Sequence, residues 1–226
     1  MATITEYRTY GDTILERLSG VAIPVLLKPS LAQFKSTHGG YEQAAAQADA
    51  KRALRDAALV AVGDADDKLD KSLETLAEKA TGAQLGKRLA PLAAFTRFAV
   101  NELTSLPYKK ESDEVVALAA RVAKGKPPKD VAAAAAACAR DAKSVQAALK
   151  SLVKPQAAYA KALAARDALL PGWTKGLRTL KKLAAAAWVD DEATYKTIFA
   201  PADAVQAPKA KRPKKPRAPA AGSVEP

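Results

Sequence analysis

His38 is the single histidine of a 226-residue chain, which at once limits the catalysis and metal binding that imidazole can support. It lies in Thr37-His38-Gly39-Gly40, where a surface turn is expected. No Glu-x-x-His spacing surrounds it, so neither a di-iron nor a zinc site of the helical-bundle kind is expected. Cys138 is also single and sits inside a run of alanines. An intramolecular disulfide and a cysteine zinc cluster are therefore excluded, and the thiol is expected to be a small buried apolar group. Gly82 to Arg88 reads GAQLGKR, one residue short of a P-loop and without the hydroxyl that holds magnesium. Asp64-Ala65-Asp66-Asp67-Lys68 resembles half a calcium loop, but Lys68 stands at the third ligand position and no glycine follows. A solvated acidic helix face is the better reading. Ser151-Leu152-Val153-Lys154 has the Ser-x-x-Lys spacing of some acyl-transfer enzymes without their companion motifs. No pair of carboxylates is expected in an apolar setting that would raise a pKa for acid and base work. No catalytic, cofactor-binding or metal-ligating residue is assigned, and a non-enzymatic protein is expected.

Positive charge is what remains. The formal net charge is +12 and is spread unevenly: residues 1–120 carry 15 Lys+Arg against 16 Asp+Glu, whereas residues 121–226 carry 21 against 8. An excess confined to one half points to a polyanionic partner for that half, nucleic acid or another anionic surface. Two groups carry it. Lys143, Lys150, Lys154 and Lys161, with Arg140, fall within about 80° of one another on a helical wheel. Lys209, Lys211, Arg212, Lys214, Lys215 and Arg217 lie among prolines and alanines in the C-terminal segment. With no helix-turn-helix, zinc-finger or RNP-type aromatic pattern, binding would go to the phosphate backbone and be indifferent to base sequence. A solvated helix face and a solubilising tail would look the same, and only their occurrence in one half of the chain links them.

The elements that must position these residues are helical. Alanine supplies 54 residues and aromatics only 5% of the chain; alanine is the best helix former and lets helices approach closely. The expected fold is all-α: an antiparallel helical bundle of four long helices plus short ones, occupying residues 1–204, with a disordered basic tail over 205–226. Thr3 and Glu6 suggest a capping box for a first helix that Pro24 kinks and Pro29 ends. Ser30 and Gln33 open a short segment stopping at His38-Gly39-Gly40. A long helix from Tyr41 to about Ala80 presents Leu54, Ala58, Val62, Leu69, Leu73 and Leu76 on one side and is capped by Gly82. Leu85 to Leu106 reads as a further helix, closed by Pro107, and Ser112 or Asp113 caps a shorter one through Val115, Leu118 and Val122. Lys124-Gly125-Lys126-Pro127-Pro128 ends it and marks an internal boundary near 124–129.

From Asp130 an apolar stripe through Val131, Ala135, Cys138, Ala142, Val145, Leu149, Leu152, Gln156, Tyr159 and Leu163 keeps its phase across Pro155, so a kink rather than a break is expected there. Pro171-Gly172 reads as a turn before a helix lined by Trp173, Leu177, Leu180, Ala184 and Trp188. Asp190 or Asp191 caps a last short helix that Pro201 stops. Arg55-Asp56-Ala57 and Arg166-Asp167-Ala168 recur with leucines at matching offsets, a pattern compatible with two related helical hairpins and also with chance in so alanine-rich a chain. Residues 205–226 cannot bury a core. The longest uncharged stretch near the N-terminus, Leu18 to Leu27, is too short to span a membrane. The N-terminus lacks the pattern of a secretory signal, so no integral membrane association and a cytoplasmic location are expected.

Two functions fit. The first is sequence-independent binding of nucleic acid or another polyanion through the basic second half and the tail, with no cofactor. The second is a helical scaffold acting through its apolar faces, on a protein partner or as a homo-oligomer. In composition, the alanine-rich helices and the Lys-Pro-Ala tail resemble granule-coating phasins, a resemblance that implies coating of a hydrophobic surface and rests on no motif.

Overall fold

The computed structural model describes residues 4–200, with side chains from Glu6 onward; Thr3 and the tail positions lie outside the described residues. The described chain is all-α, as its composition leads one to expect: α1 (Ile4–Ser19), α2 (Lys28–Gly82), α3 (Val100–Leu103), α4 (Tyr108–Lys124), α5 (Lys129–Ala187) and α6 (Glu192–Phe199), with a 3₁₀ turn at Val25–Leu27 before α2. No strand occurs among the described residues, only an isolated bridge between Lys87 and Ala90. The chain divides into two compact units, residues 40–170 forming one and the segments 1–39 and 171–226 the other. Helices α2 and α5 each contribute to both.

In the unit of residues 40–170, α2 and α5 run antiparallel. The Arg55 guanidinium lies 4.4 Å over the Tyr159 ring, and Ser72 Oγ donates to Asp141 Oδ2. Advancing 17 residues along α2 thus matches going back 18 along α5. Leu69, Leu73 and Leu76 of α2, Val115, Leu118 and Val122 of α4, and Val131, Ala135, Cys138, Ala142 and Val145 of α5 form one buried cluster. Small alanine and cysteine side chains on the α5 face let the three helices approach closely. Toward the middle of α2 and α5 burial falls away, and Leu54, Val60 and Val153 are 58%, 63% and 64% exposed. The two Arg-Asp pairs share one local geometry, Nε donating to the neighbouring Oδ1 at 2.8 Å for Arg55 and 2.9 Å for Arg166.

In the other unit, α1 packs on α6. Tyr10 Oη donates to the Phe199 carbonyl at 3.0 Å, and Arg17 Nη1 donates to the carbonyls of Ile198 and Ala200 at 3.2 and 2.8 Å. These bonds satisfy carbonyl groups that the end of α6 leaves without helical partners. Asp191 caps the other end as expected, its Oδ1 accepting from the Thr194 amide at 3.1 Å. Hydrogen bonding from the Thr194 side chain, together with this amide, favours the charged carboxylate and holds its pKa below the ordinary value.

Helix boundaries depart from the sequence reading in several places. Two long helices of 55 and 59 residues take the place of four comparable ones, because neither His38-Gly39-Gly40 nor Pro171-Gly172 interrupts its helix. Phe34, His38, Tyr41, Ala45 and Ala48 are buried at three- and four-residue intervals across the first site, and a buried stripe outweighs the roughly 1 kcal/mol that each glycine costs. Pro29 opens α2 in its first turn, where a missing N–H costs nothing. Leu85–Leu106 is mostly irregular. Pro91 cannot donate to a helix there, Gln84 adopts a positive φ of 59°, and a Cβ on Gly86 would lie 2.1 Å from the Pro91 carbonyl oxygen. The apolar residues of this segment reach the core from a turn at Leu92 and from the short α3 at Leu103, both buried. Finally, α4 begins at Tyr108 after Pro107, four residues before the expected Ser112 cap. Helix α5 does pass through Pro155 uninterrupted.

Candidate functional site

Lys143, Lys150, Lys154 and Lys161 all lie on α5 and are all exposed. Their spacings of seven, four and seven residues keep them on one side of the helix, and at 1.5 Å per residue they form a row about 27 Å long. Helix α5 as a whole carries 11 Lys+Arg against three Asp. Two of those acids are engaged: Asp141 accepts from Ser72, and Asp167 is held by Arg166. None of the ion pairs among the described residues involves the four lysines. The row is a set of ammonium groups held by one rigid element and facing water. The tail cations Lys209, Lys211, Arg212, Lys214, Lys215 and Arg217 lie outside the described residues.

A second basic feature, which the sequence reading did not single out, lies in the unit formed by residues 1–39 and 171–226. An open groove there is lined by Thr174, Arg178, Lys181, Lys182 and Tyr195. Lys181 Nζ lies 5.1 Å from the Tyr10 ring centre and 5.7 Å from that of Phe199, so its stem is packed and its charge held in place. Arg178, Lys181 and Lys182 occupy one turn, and their spacing was the available signal.

His38 is not the surface turn residue expected from its neighbours. It is 3% exposed inside α2. Trp173 Nε1 donates to its Nδ1 at 3.0 Å, so the ring proton sits on Nε2, which donates to Asp12 Oδ1 at 2.9 Å. With both nitrogens engaged, the ring is a polar tie among α1, α2 and α5, set against Phe34 and Trp173. Gly11 makes room for it: a Cβ there would lie 2.3 Å from His38 Cε1.

Carboxylates, too, stand in an apolar setting, contrary to expectation. Glu111, in the first turn of α4, is completely buried, and its carboxylate meets those of Asp66 and Asp70 from α2, with ligand oxygens all within 4.8 Å of one another. Both Glu111 oxygens, Asp66 Oδ1 and Asp70 Oδ1 are buried without a hydrogen-bond partner. Burial, reinforced by the charges of Asp66 and Asp70, pushes the Glu111 carboxyl up to about 8; burial also raises Asp66 and Asp70. Three carboxylates this close cannot all remain charged without a proton or a cation among them. The sequence did hold a signal. Glu111 continues the apolar phase of Val115, Leu118 and Val122, and Asp66 and Asp70 interrupt that of Val62, Leu69 and Leu73, so that acids occupy stripe positions. Cys138 behaves as expected: it is fully buried, and burial pushes its thiol up to about 12.

No helix of the described residues is long and apolar enough to cross a membrane. Comparison with protein-family models, curated proteins and solved structures finds no match to this chain.

Proposed function

We propose that this protein is a non-enzymatic helical protein of the cytoplasm that binds nucleic acid or another polyanion without sequence specificity. The observation that carries the reading is the exposed row Lys143, Lys150, Lys154 and Lys161, held on a single helix and free of ion pairs among the described residues. A fixed row of ammonium groups meets a phosphate backbone as a row of point charges, and release of condensed counterions supplies the affinity. The groove cations Arg178, Lys181 and Lys182 extend the positive character of α5. The tail cations Lys209, Lys211, Arg212, Lys214, Lys215 and Arg217 would add further contacts to the phosphate backbone.

The test is binding of the full chain to a fluorescein-labelled 30-base-pair duplex of random sequence, at low salt, for the natural protein and for Lys143→Gln/Lys150→Gln/Lys154→Gln/Lys161→Gln. The quadruple variant is expected to bind at least about tenfold more weakly, with no preference among duplex sequences in either protein. Equal affinity of the two proteins would remove the helix row from the reading.

A second reading, a helical scaffold that associates through apolar surface, rests on the exposed Leu54, Val60 and Val153. It predicts concentration-dependent oligomers that Leu54→Lys or Val153→Lys dissolves, and no retention on DNA.

A further inference from the structure

We propose that Asp66, Asp70 and Glu111 bind a hard divalent cation of the calcium, manganese or magnesium class. Asp66 and Asp70 are four residues apart, one turn of α2, so their carboxylates leave the same face of the helix. Glu111 meets them from α4, and two separate helices thus supply three oxygen ligands. Two oxygens bound to one ion can be separated by at most twice the metal–oxygen distance, about 4.2 Å for magnesium and up to about 5 Å for calcium. The ligand oxygens all lie within 4.8 Å of one another, inside the calcium limit.

What distinguishes this group from an ordinary acidic face is Glu111. Its side chain is wholly buried, is aimed at the two aspartates, and has no partner on either oxygen. A single proton could bridge two of the carboxyls but would leave the third unpaired in the same pocket. A divalent ion neutralises two charges at once and satisfies oxygens from all three. The chain does not lack cations: Asp56, Asp113 and Glu192 are each paired with Arg or Lys within four residues. No Lys or Arg forms an ion pair with Asp66, Asp70 or Glu111 among the described residues, while Asp67 and Glu74 add to the negative field. Asp66 and Asp70 are only partly buried, so water can complete the coordination shell from their side. An ion held there would tie α4 to α2.

The experiment is thermal unfolding of the full chain, stripped with EDTA and dialysed, with calcium, manganese or magnesium chloride added separately up to 10 mM at pH 7.5. Glu111→Gln and Asp70→Asn are measured beside the natural protein; two variants guard against one failing to fold. At an ion concentration a hundred times the dissociation constant, the melting temperature of the natural protein should rise by about 5–10 °C for at least one ion. The folded variants should show no rise, and paramagnetic titration should count one manganese per natural chain. No rise with any of the three ions would overturn the proposal, and so would an equal rise in the variants.

Discussion

Gly11→Ala sets two known quantities against each other. Alanine in a helix interior is worth about 1 kcal/mol over glycine, and nothing in the backbone of α1 forbids it, since no described glycine has positive φ. The added methyl, however, would lie 2.3 Å from His38 Cε1, 2.5 Å from Nδ1 and 3.0 Å from Nε2. The ring cannot step aside freely, because Trp173 donates to one nitrogen and the other donates to Asp12. Moving it breaks the buried hydrogen bond from Trp173, at about 1–3 kcal/mol, and leaving it in place overpacks the contact at about 1–3 kcal/mol. The net expectation is destabilisation by roughly 0–2 kcal/mol after the propensity gain is subtracted. Urea unfolding followed by tryptophan fluorescence and by far-ultraviolet circular dichroism measures it. The sharper form is a reversal of sign: in a His38→Ala background the ring is gone, and Gly11→Ala should stabilise by about 1 kcal/mol. The same effect of Gly11→Ala in both backgrounds would refute the packing described around His38.

Other outcomes follow from the buried groups. Glu111 titrates near 8 in the fold against an ordinary 4.5, so the folded state binds its proton more tightly than the unfolded state. Its contribution is fully present below about pH 4.5 and is lost as pH rises through 8; in EDTA the melting temperature should fall between pH 5 and 8, and Glu111→Gln should flatten that fall. Cys138, with its thiol pushed up to about 12 in a closed core, should resist Ellman's reagent in the native protein and react fully in 6 M guanidinium. A thiol that reacts at once in the folded protein would contradict its burial in the core that α5 shares with α2 and α4.

Helical character and most of the core were legible in the sequence, because alanine content and three-to-four-residue apolar spacing act locally. Val131, Ala135, Cys138, Ala142 and Val145 are buried as that spacing predicts, and the stop at Gly125 holds, with Lys126 in the left-handed region at φ 51° before two prolines. Legibility failed where local and tertiary preferences disagreed. Gly39-Gly40 and Pro171-Gly172 are strong turn signals, yet α2 and α5 continue through both, Phe34 and Tyr41 being buried on one side of the first site and Trp173 and Leu177 just after the second. Leu85 to Leu106 failed in the opposite sense, since regular leucine spacing suggested a helix that Pro91 and the close approach of Gly86 forbid. The four lysines of α5 were readable because exposure follows from helical phase alone. The carboxylate cluster was not, because it requires knowing that Glu111 faces Asp66 and Asp70, residues 45 and 41 positions away on another helix.

Polyanion binding through the second half of the chain is tested most directly by the salt dependence of duplex DNA affinity, measured for the natural protein, the quadruple lysine variant and a truncation lacking residues 205–226. With four contacts from α5 and six from the tail, the slope of log affinity against log salt should be about −9. It should fall to about −5 without the α5 lysines and to about −4 without the tail, at one contact per unit of roughly 0.9. A slope that neither change alters would contradict the assignment of binding to these cations.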